Sequence, residues 1–287
     1  MNHVLSTHLF VNHRLSTVWL DKISHAGISA VEMFCARQHF DYRNPGQVAE
    51  LGHWFRDSTM TLNSLHGPMY NDDVWGRTGP TSVINITETI KAKRIAVVDE
   101  IKRALEVAET IPFQYLIQHV GVLGEEYDER KLDAAFNSLE ELSLFAHQRG
   151  VQILLENIAN GMSSAERLVM FLNSTHLRLN FCFDVGHANM NEGVEAAFET
   201  MKEKIRSTHL HDNNGKSDSH LFPFHTTEGT IDWPRTMGLL QSRPDQYPLV
   251  LELKEVPAVA DPFTTVTTAV RIFEKLESFN AASSNRD

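Results

Sequence analysis

The sequence predicts an α/β fold, a (β/α)8 barrel that forms a single domain. Short runs rich in β-branched and aromatic residues recur along the 287 residues, and longer segments with helical apolar spacing separate them. Strands that alternate with helices indicate parallel strands joined by crossovers. A barrel of this kind commonly takes about 250 residues, which fits the length of this chain. We expect the barrel to span residues 1–280 and the small polar segment 281–287 to form a frayed tail.

Eight segments are predicted to be the barrel strands. Sequences such as VQILLE and PLVLEL are almost continuously apolar, which is typical of parallel strands covered on both faces. Between the strands, apolar residues recur at helical spacing over residues 95–108, 132–147 and 263–276. The predicted strands are residues 4–10, 28–34, 61–65, 114–120, 151–156, 178–184, 205–211 and 248–254.

Two polar loops, residues 69–81 and 212–231, are longer than ordinary connections. Each follows the carboxyl end of a predicted strand, and barrel active sites lie at that end. Long loops in a compact domain are usually functional or disordered. We therefore expect these two loops to border a functional site.

The charge and cysteine content exclude several classes of protein. There are 26 Lys and Arg against 37 Asp and Glu, a net charge of −11, which argues against a general polyanion binder but not against a local basic groove. The two cysteines, Cys35 and Cys182, are far apart and fit a reducing compartment. No apolar run reaches the roughly 18 residues of a membrane span, and the N-terminus lacks the pattern of a signal peptide. We expect a cytoplasmic protein without a membrane partner.

Six consecutive predicted strands each carry a histidine or a carboxylate near the carboxyl end. Because the carboxyl ends of parallel barrel strands meet at one face, these side chains should converge. A single strand-end histidine is more often a hydrogen-bonded structural residue than a ligand. A carboxylate within an apolar strand is costly to bury unless it is paired or bound to metal, and several together repel. A divalent cation is the simplest resolution. The six residues are His66, His119, Glu156, Asp184, His209 and Glu252.

Three further residues extend this set of potential ligands. His187 follows Asp184 at i+3 in FDVGH, and Asp218 and His220 lie in the loop after the seventh strand as DSH. Asp218 alone would more often be a turn former. Nine potential ligands suffice for more than one ion. His211 lies two residues beyond His209. It is either the alternative ligand from this strand or a residue whose side chain faces away from the barrel axis.

Several sequence blocks resemble the xylose isomerase-like TIM barrel superfamily, which includes sugar-phosphate isomerases and epimerases and endonuclease IV (AP endonuclease family 2). The resemblance covers nearly the whole chain. The blocks are HGPMY at His66, QHVG at His119, LLENIANG at Glu156, FDVGHANM at Asp184, THLHDNNGKSDSH at His209 and LELKE at Glu252.

The resemblance implies two alternative metal centres. In the sugar branch, one divalent ion is held by a set that corresponds to Glu156, Asp184, His209 and Glu252. In the endonuclease branch, three zinc ions are held, and the corresponding sets are His66, His119 and Glu156; Glu156, Asp184, His209 and Glu252; and His187, Asp218 and His220. We expect one to three ions, zinc or manganese in preference, with magnesium or cobalt as further possibilities.

The first functional hypothesis is a divalent-metal-dependent isomerase or epimerase that acts on a sugar or sugar phosphate. The metal would polarise the carbonyl and stabilise an enediolate, while Glu156 and Glu252 act as acid and base. Aromatic side chains would supply apolar walls, and cationic ones would bind a phosphate or carboxylate. The predicted substrate-binding residues are Trp75, Lys254, Arg37 and His211, with Phe34, Trp233 and Arg77 as further candidates.

Three alternatives remain at this stage. A multi-zinc AP endonuclease would use all nine ligands, but the loops around the site, such as NDDVWG and GEEYDE, are mostly acidic or neutral. A nucleic acid partner is therefore disfavoured without being excluded. A dehydratase or lyase could act on a polyol or keto-sugar at the same site. A barrel that binds a metabolite without turnover would need no metal. Pairing of outer helices would permit a homo-oligomer.

Overall fold

The computed structural model describes residues 1–255 and 262–281. All strand pairs of the sheet are parallel, in the order β7-β6-β5-β4-β3-β2-β1-β8. The barrel closes through a parallel bridge between Leu210 and Leu251, next to β7 and in β8. The predicted (β/α)8 barrel is confirmed. The strands are β1 (His3–Ser6), β2 (Ala30–Phe34), β3 (Thr61–His66), β4 (Tyr115–His119), β5 (Gln152–Glu156), β6 (Asn180–Asp184), β7 (Ile205–His209) and β8 (Leu249–Leu251).

Helices follow the strands and surround the barrel. Several begin at a side chain that accepts a backbone hydrogen bond, such as Asn44, Asp128 and Ser164, which satisfies amides that have no partner within the helix. Among the described residues the helices are α1 (Thr17–His25), α2 (Pro45–Asp57), α3 (Lys91–Glu106), α4 (Glu129–His147), α5 (Ala165–Asn173), α6 (Val185–Met190), α7 (Val194–Met201), α8 (Trp233–Leu240) and α9 (Pro262–Ala281). None of them is long and apolar enough to cross a membrane.

Most predicted strands are longer than the observed ones, and the first and the last extend furthest past the observed carboxyl ends. The first ends at Ser6, because Ser6 Oγ accepts the His8 amide and starts a 3-10 helix over Thr7–Phe10. The last, β8, ends at Leu251, and the Lys254 amide already donates to the His220 carbonyl in the loop after β7. In both places the chain turns toward the barrel mouth sooner than the apolar pattern indicates. The predicted tail lies outside the described residues from residue 282 onward.

The barrel interior has an apolar floor below a polar layer. A small buried cluster contains Tyr115, Ile117, Leu154 and Cys182. Residues two apart on a strand point to the same side, so Ile117, Leu154 and Cys182 lie directly below His119, Glu156 and Asp184. The much larger core lies between the outer face of the barrel and the helices. These apolar side chains therefore lie beneath the polar layer, on the side of the barrel opposite the carboxyl face.

Candidate metal centre

The carboxyl face of the barrel brings all nine predicted ligands into three groups. Within each group, one ligand atom from every residue lies within 4.8 Å of the others. Glu156 belongs to two of the groups. The first group is His66, His119 and Glu156; the second is Glu156, Asp184, His209 and Glu252; the third is His187, His211, Asp218 and His220.

Glu156, at the end of β5, lies at the centre of the site and is fully buried. Its Oε2 is 2.9 Å from His119 Nε2 and 3.5 Å from His66 Nε2. Its Oε1 is 3.0 Å from His209 Nδ1 and 3.5 Å from His187 Nδ1. One carboxylate therefore faces two sets of imidazoles, which is the arrangement of a carboxylate able to bridge two ions.

His209, at the end of β7, is held from both sides of its ring. Nδ1 faces the carboxylates, at 3.0 Å from Glu156 Oε1 and 3.3 Å from Glu252 Oε2. Nε2 lies 3.1 Å from Oε1 of Glu32, whose Oε2 accepts a hydrogen bond of 2.8 Å from Ser64 Oγ. A carboxylate behind a ligand histidine fixes its tautomer and orientation.

Sequence reasoning missed Glu32, although the signal was available. Glu32 is a carboxylate inside the apolar strand AVEMF, the same feature that identified Glu156 and Glu252. It also missed His8, which follows β1 and forms a fourth group of potential ligands with His220 and Glu252.

The third group combines α6 with the loop after β7. Asp184 caps α6 by accepting the His187 amide at 2.6 Å. Asp218 joins two imidazoles, with Oδ2 3.2 Å from His187 Nε2 and Oδ1 3.2 Å from His220 Nε2. His220 has a φ of 45°, a conformation that costs free energy for a residue with a Cβ and that is concentrated at functional sites.

Asp212 anchors the same loop. Its Oδ1 accepts the amides of Asn213 and Thr230, and its Oδ2 accepts the indole N–H of Trp233. An ideal Cβ on Gly229 would stand 2.4 Å from Asp212 Oδ2, so only glycine permits this close approach. The buried Trp233 thus helps to fix the loop.

Opposing effects set the protonation of the buried groups. Burial lowers the pKa of His187, but Asp184 and Asp218 outweigh it and hold that pKa well above the usual value. Burial raises the pKa of Asp218, but His220 and His187 lower it much further. Burial likewise raises the pKa of Glu156, and His209 and His119 hold it well below its usual range. The carboxylates are therefore ionised, and they favour positive charge on the atoms between them.

The donor set fits divalent cations. When the histidines give up their protons to act as ligands, five buried or half-buried carboxylates carry a charge of −5, and two divalent ions would offset four of these charges. Asp184 Oδ2, His211 Nε2 and Asp218 Oδ1 are buried and find no hydrogen-bond partner among the described residues. Buried polar atoms are normally paired. The five carboxylates are Glu32, Glu156, Asp184, Asp218 and Glu252.

An aromatic wall stands beside the ligand groups. Phe34 packs on His66 at 4.6 Å between ring centroids, and Trp75 contacts Phe34 edge-on at 5.3 Å. His8 lies between this wall and the third group, 5.7 Å from the Trp75 ring and 4.8 Å from that of His220. The structure therefore brings the predicted residue Trp75 next to the centre.

The other predicted substrate-binding residues lie in different settings. Arg37 pairs with Asp41 and Asp73 and donates to the Asn71 carbonyl, so it is committed to the 69–81 loop. Lys254 is exposed two residues after Glu252, at the rim of the site. His211 is fully buried within the third group.

Comparisons with known proteins agree with the fold. A sequence model of the family described as xylose isomerase-like TIM barrel matches residues 20–276. An uncharacterized protein of Methanocaldococcus jannaschii, MJ1614, is 31% identical over 149 residues, 50% of this chain and 57% of that protein. Inosose dehydratase of Yersinia enterocolitica is 25% identical, over 47% of this chain and 52% of that protein. A probable endonuclease 4 of Natronomonas pharaonis is 29% identical, over 47% and 53%. The chain thus spans little more than half the length of these relatives.

Solved structures of similar shape cover the whole chain. A D-tagatose 3-epimerase-like protein superposes with a TM-score of 0.77 at 22% identity, covering 100% of this chain and 99% of that one. The IOLI protein with a bound zinc atom superposes with a TM-score of 0.72 at 15% identity, covering 96% of each chain. At these identities the likeness shows the fold.

Proposed function

Because this chain belongs to the xylose isomerase-like TIM barrel family, we propose that it is a divalent-metal-dependent isomerase or epimerase of a sugar or sugar phosphate. One observation carries the proposal. Two buried glutamates, Glu156 and Glu252, each place an oxygen within 3.3 Å of the same imidazole nitrogen, His209 Nδ1, inside a single group of potential metal ligands. Two carboxylates beside one cation site supply both an acid and a base.

The chemistry follows from these groups. A divalent ion held by Glu156, Asp184, His209 and Glu252 would polarise a substrate carbonyl and offset the negative charge that develops on its oxygen. One glutamate removes the proton from the carbon next to the carbonyl, and the other returns a proton. Glu32 holds the His209 ring in place.

The surroundings support a small polyol-like substrate. Phe34 and Trp75 offer an apolar wall for the carbon chain, and Trp75 Nε1 is buried with no hydrogen-bond partner in the described part of the chain. That N–H is free to donate to a substrate hydroxyl. Lys254 at the rim would bind a phosphate or carboxylate of the substrate.

The test is solvent deuterium exchange at the carbon next to the carbonyl, screened over ketoses, aldoses and their phosphates. We expect exchange with the metal-loaded protein, loss of exchange after chelation, and loss in Glu156→Gln and Glu252→Gln. Exchange followed by loss of water would assign a dehydratase or lyase instead. Exchange that persists in both variants would contradict the acid–base assignment.

A multi-metal AP endonuclease is the second candidate, and the presence of all three ligand groups favours it. Against it, duplex DNA requires cationic contacts to phosphate, whereas the net charge is −11 and Arg37 at the mouth is already paired with Asp41 and Asp73. Nicking of a duplex with one abasic site, before and after chelation, separates the two. Chelator-sensitive nicking without deuterium exchange would make the endonuclease the correct assignment.

A further inference from the structure

His8 lies at the barrel mouth, between the ligand groups and the aromatic wall. Its ring centroid is 4.7 Å from that of Phe34 and 4.8 Å from that of His220, and it meets the Trp75 ring edge-on at 5.7 Å. The side chain is buried. Buried polar groups are normally hydrogen-bonded, so the partners of the two ring nitrogens define what His8 can do.

The surroundings of His8 fix the state of its ring. Nδ1 lies 3.1 Å from the carbonyl oxygen of Leu253, which can only accept, so Nδ1 carries hydrogen. The nearby Glu252 carboxylate pairs with His209 and His220, and no ion pair in the described part of the chain includes His8. Because a buried charge without a counter-charge is costly, the ring is neutral. Nε2 therefore presents a lone pair that accepts a hydrogen bond.

The order of the strands shows where this lone pair points. β1 lies between β8 and β2, and the Nδ1 bond ties the ring to the segment that follows β8. The two nitrogens lie on opposite sides of an imidazole ring, so Nε2 faces the β2 side, where Phe34 and Trp75 form the wall. The described residues supply no hydrogen-bond partner for Nε2.

Trp75 contributes the complementary group. Its Nε1–H can only donate, and it is buried without a partner among residues 1–255 and 262–281. Gln38 holds the two segments together, since its Oε1 accepts the Trp75 amide at 3.2 Å and its Nε2 donates to the Val11 carbonyl at 2.8 Å, three residues after His8. An unpaired acceptor and an unpaired donor therefore stand side by side at the mouth.

A cation is a poorer match for His8 than a hydroxyl group. His8 forms a group of potential ligands with His220 and Glu252, but each of these two residues already belongs to another group. His8 thus completes no separate donor set. A hydroxyl group, in contrast, both donates and accepts, as the free nitrogens of His8 and Trp75 require.

We propose that His8 and Trp75 form a subsite that binds a free hydroxyl group of a sugar. A phosphate dianion has no hydrogen to donate to His8 Nε2, and its charge would face a lone pair. The subsite therefore selects a substrate that is neutral, and not phosphorylated, where it lies against the aromatic wall. This inference deepens the proposed function by naming the substrate class, and it rests on that function for the presence of a sugar in the centre.

The experiment measures binding of the D- and L-ketohexoses to the metal-loaded protein by calorimetry, in the wild type, His8→Phe and Trp75→Phe. Both substitutions keep an aromatic ring and remove the free nitrogen. We expect each to weaken binding of the recognised sugar by about 10-fold, near the upper end for one neutral hydrogen bond, with unchanged metal content. The matched control is His39→Phe, because His39 is also buried but its nitrogens already bond the His13 carbonyl and Thr7 Oγ1. It should bind the sugar as the wild type does.

Monodeoxy analogues of the recognised sugar identify the hydroxyl group. One analogue should bind the wild type about 10-fold more weakly than the parent sugar, because it lacks the same hydrogen bond. His8→Phe should cause no further loss with that analogue and should still weaken the others. Phosphorylation of the same hydroxyl should remove measurable binding.

Several outcomes would overturn the proposal. Loss of a metal equivalent in His8→Phe would make His8 a ligand. An equal loss of sugar affinity in His39→Phe, or a further loss with every deoxy analogue in His8→Phe, would show that no single hydroxyl meets His8. Failure of every ketohexose to bind the wild type would also reject the subsite. Sugar binding with the expected dependence but without deuterium exchange would contradict the proposed function and leave the subsite standing.

Discussion

Two buried glutamates of this chain, Glu100 on α3 and Glu156 on β5, are neutralised in different ways. Glu100 accepts from Tyr42 Oη at 2.5 Å, from Arg43 Nε at 2.6 Å and from Arg103 Nη1 at 2.5 Å. In the described part of the chain, the ion-pair partners of Glu156 are all histidines. Arginine is always charged, whereas histidine changes its charge with proton or metal. The charge of Glu100 is thus neutralised without a bound ligand, whereas that of Glu156 depends on protons or a metal ion.

The comparison separates structural from functional burial of charge. Burial raises the pKa of both carboxyls, and their partners lower both below the usual range, so a lowered pKa alone does not distinguish them. The partners do. Around Glu156, buried atoms of Asp184, His211 and Asp218 remain without hydrogen bonds among the described residues, which is expected of side chains that can coordinate a cation.

The largest effect expected from this comparison is that of Glu156→Gln. Because Glu156 belongs to two ligand groups, its loss should remove bound metal from both and abolish turnover. Glu100→Gln, a buried glutamate changed in the same way, should keep the metal content of the wild type. Elemental analysis after gel filtration measures this. Equal metal content in the two variants would mean that the central site is assigned to the wrong residues.

Metal removal should have the next largest effect. A ligand that binds only the folded state at 100 times its Kd stabilises it by about 2.7 kcal/mol. We expect chelation to lower the free energy of unfolding of the wild type and of Glu100→Gln by a similar amount, and to leave Glu156→Gln nearly unchanged. Urea unfolding with and without zinc provides the measurement, and an unchanged wild-type curve would argue against any resident ion.

The barrel and the membership of the centre were predictable from the sequence. Strand period, apolar runs and strand-end polar residues depend on local sequence, so His66, His119, Glu156, Asp184, His209 and Glu252 could be placed on one face. Where β1 and β8 end could not be predicted, because loop hydrogen bonds to Ser6 and from Lys254 decide it.

The roles of Glu32, Trp233 and His211 depend on contacts between residues far apart in the chain, and the spacing of residues in the sequence does not predict such contacts. Glu32 meets a histidine 177 residues away, and Trp233 reaches Asp212 only because the loop between them folds back. His211 is buried because Gly186, on another element, leaves space for its ring. Each of these needs the three-dimensional path of the chain.

Glu32→Gln should have an intermediate effect, because Glu32 acts through His209. It is fully buried and bonded to His209 Nε2 and Ser64 Oγ. Loss of a carboxylate behind a ligand histidine typically weakens metal binding by about 10–100-fold. We expect that loss at the group containing His209, and little change at the group containing His211. Competition titrations distinguish the two, and an affinity equal to the wild type would show that Ser64 and packing alone hold the ring.

The smallest effect concerns Glu100 and appears as a pH dependence of stability in the metal-free protein. Its partners Arg43 and Arg103 are 30% and 50% exposed, so solvent screening limits the contribution of the ion pairs to about 1 kcal/mol. The folded-state pKa of Glu100 lies below the usual value of 4.5. Its stabilisation is therefore fully present above pH 4.5 and is lost as the pH falls through the folded-state value.

Urea unfolding should show Glu100→Gln less stable than the wild type at pH 7, with the difference shrinking below pH 4.5. A difference that stays constant with pH would show that Glu100 contributes through packing and neutral hydrogen bonds, which would remove the electrostatic contrast with Glu156.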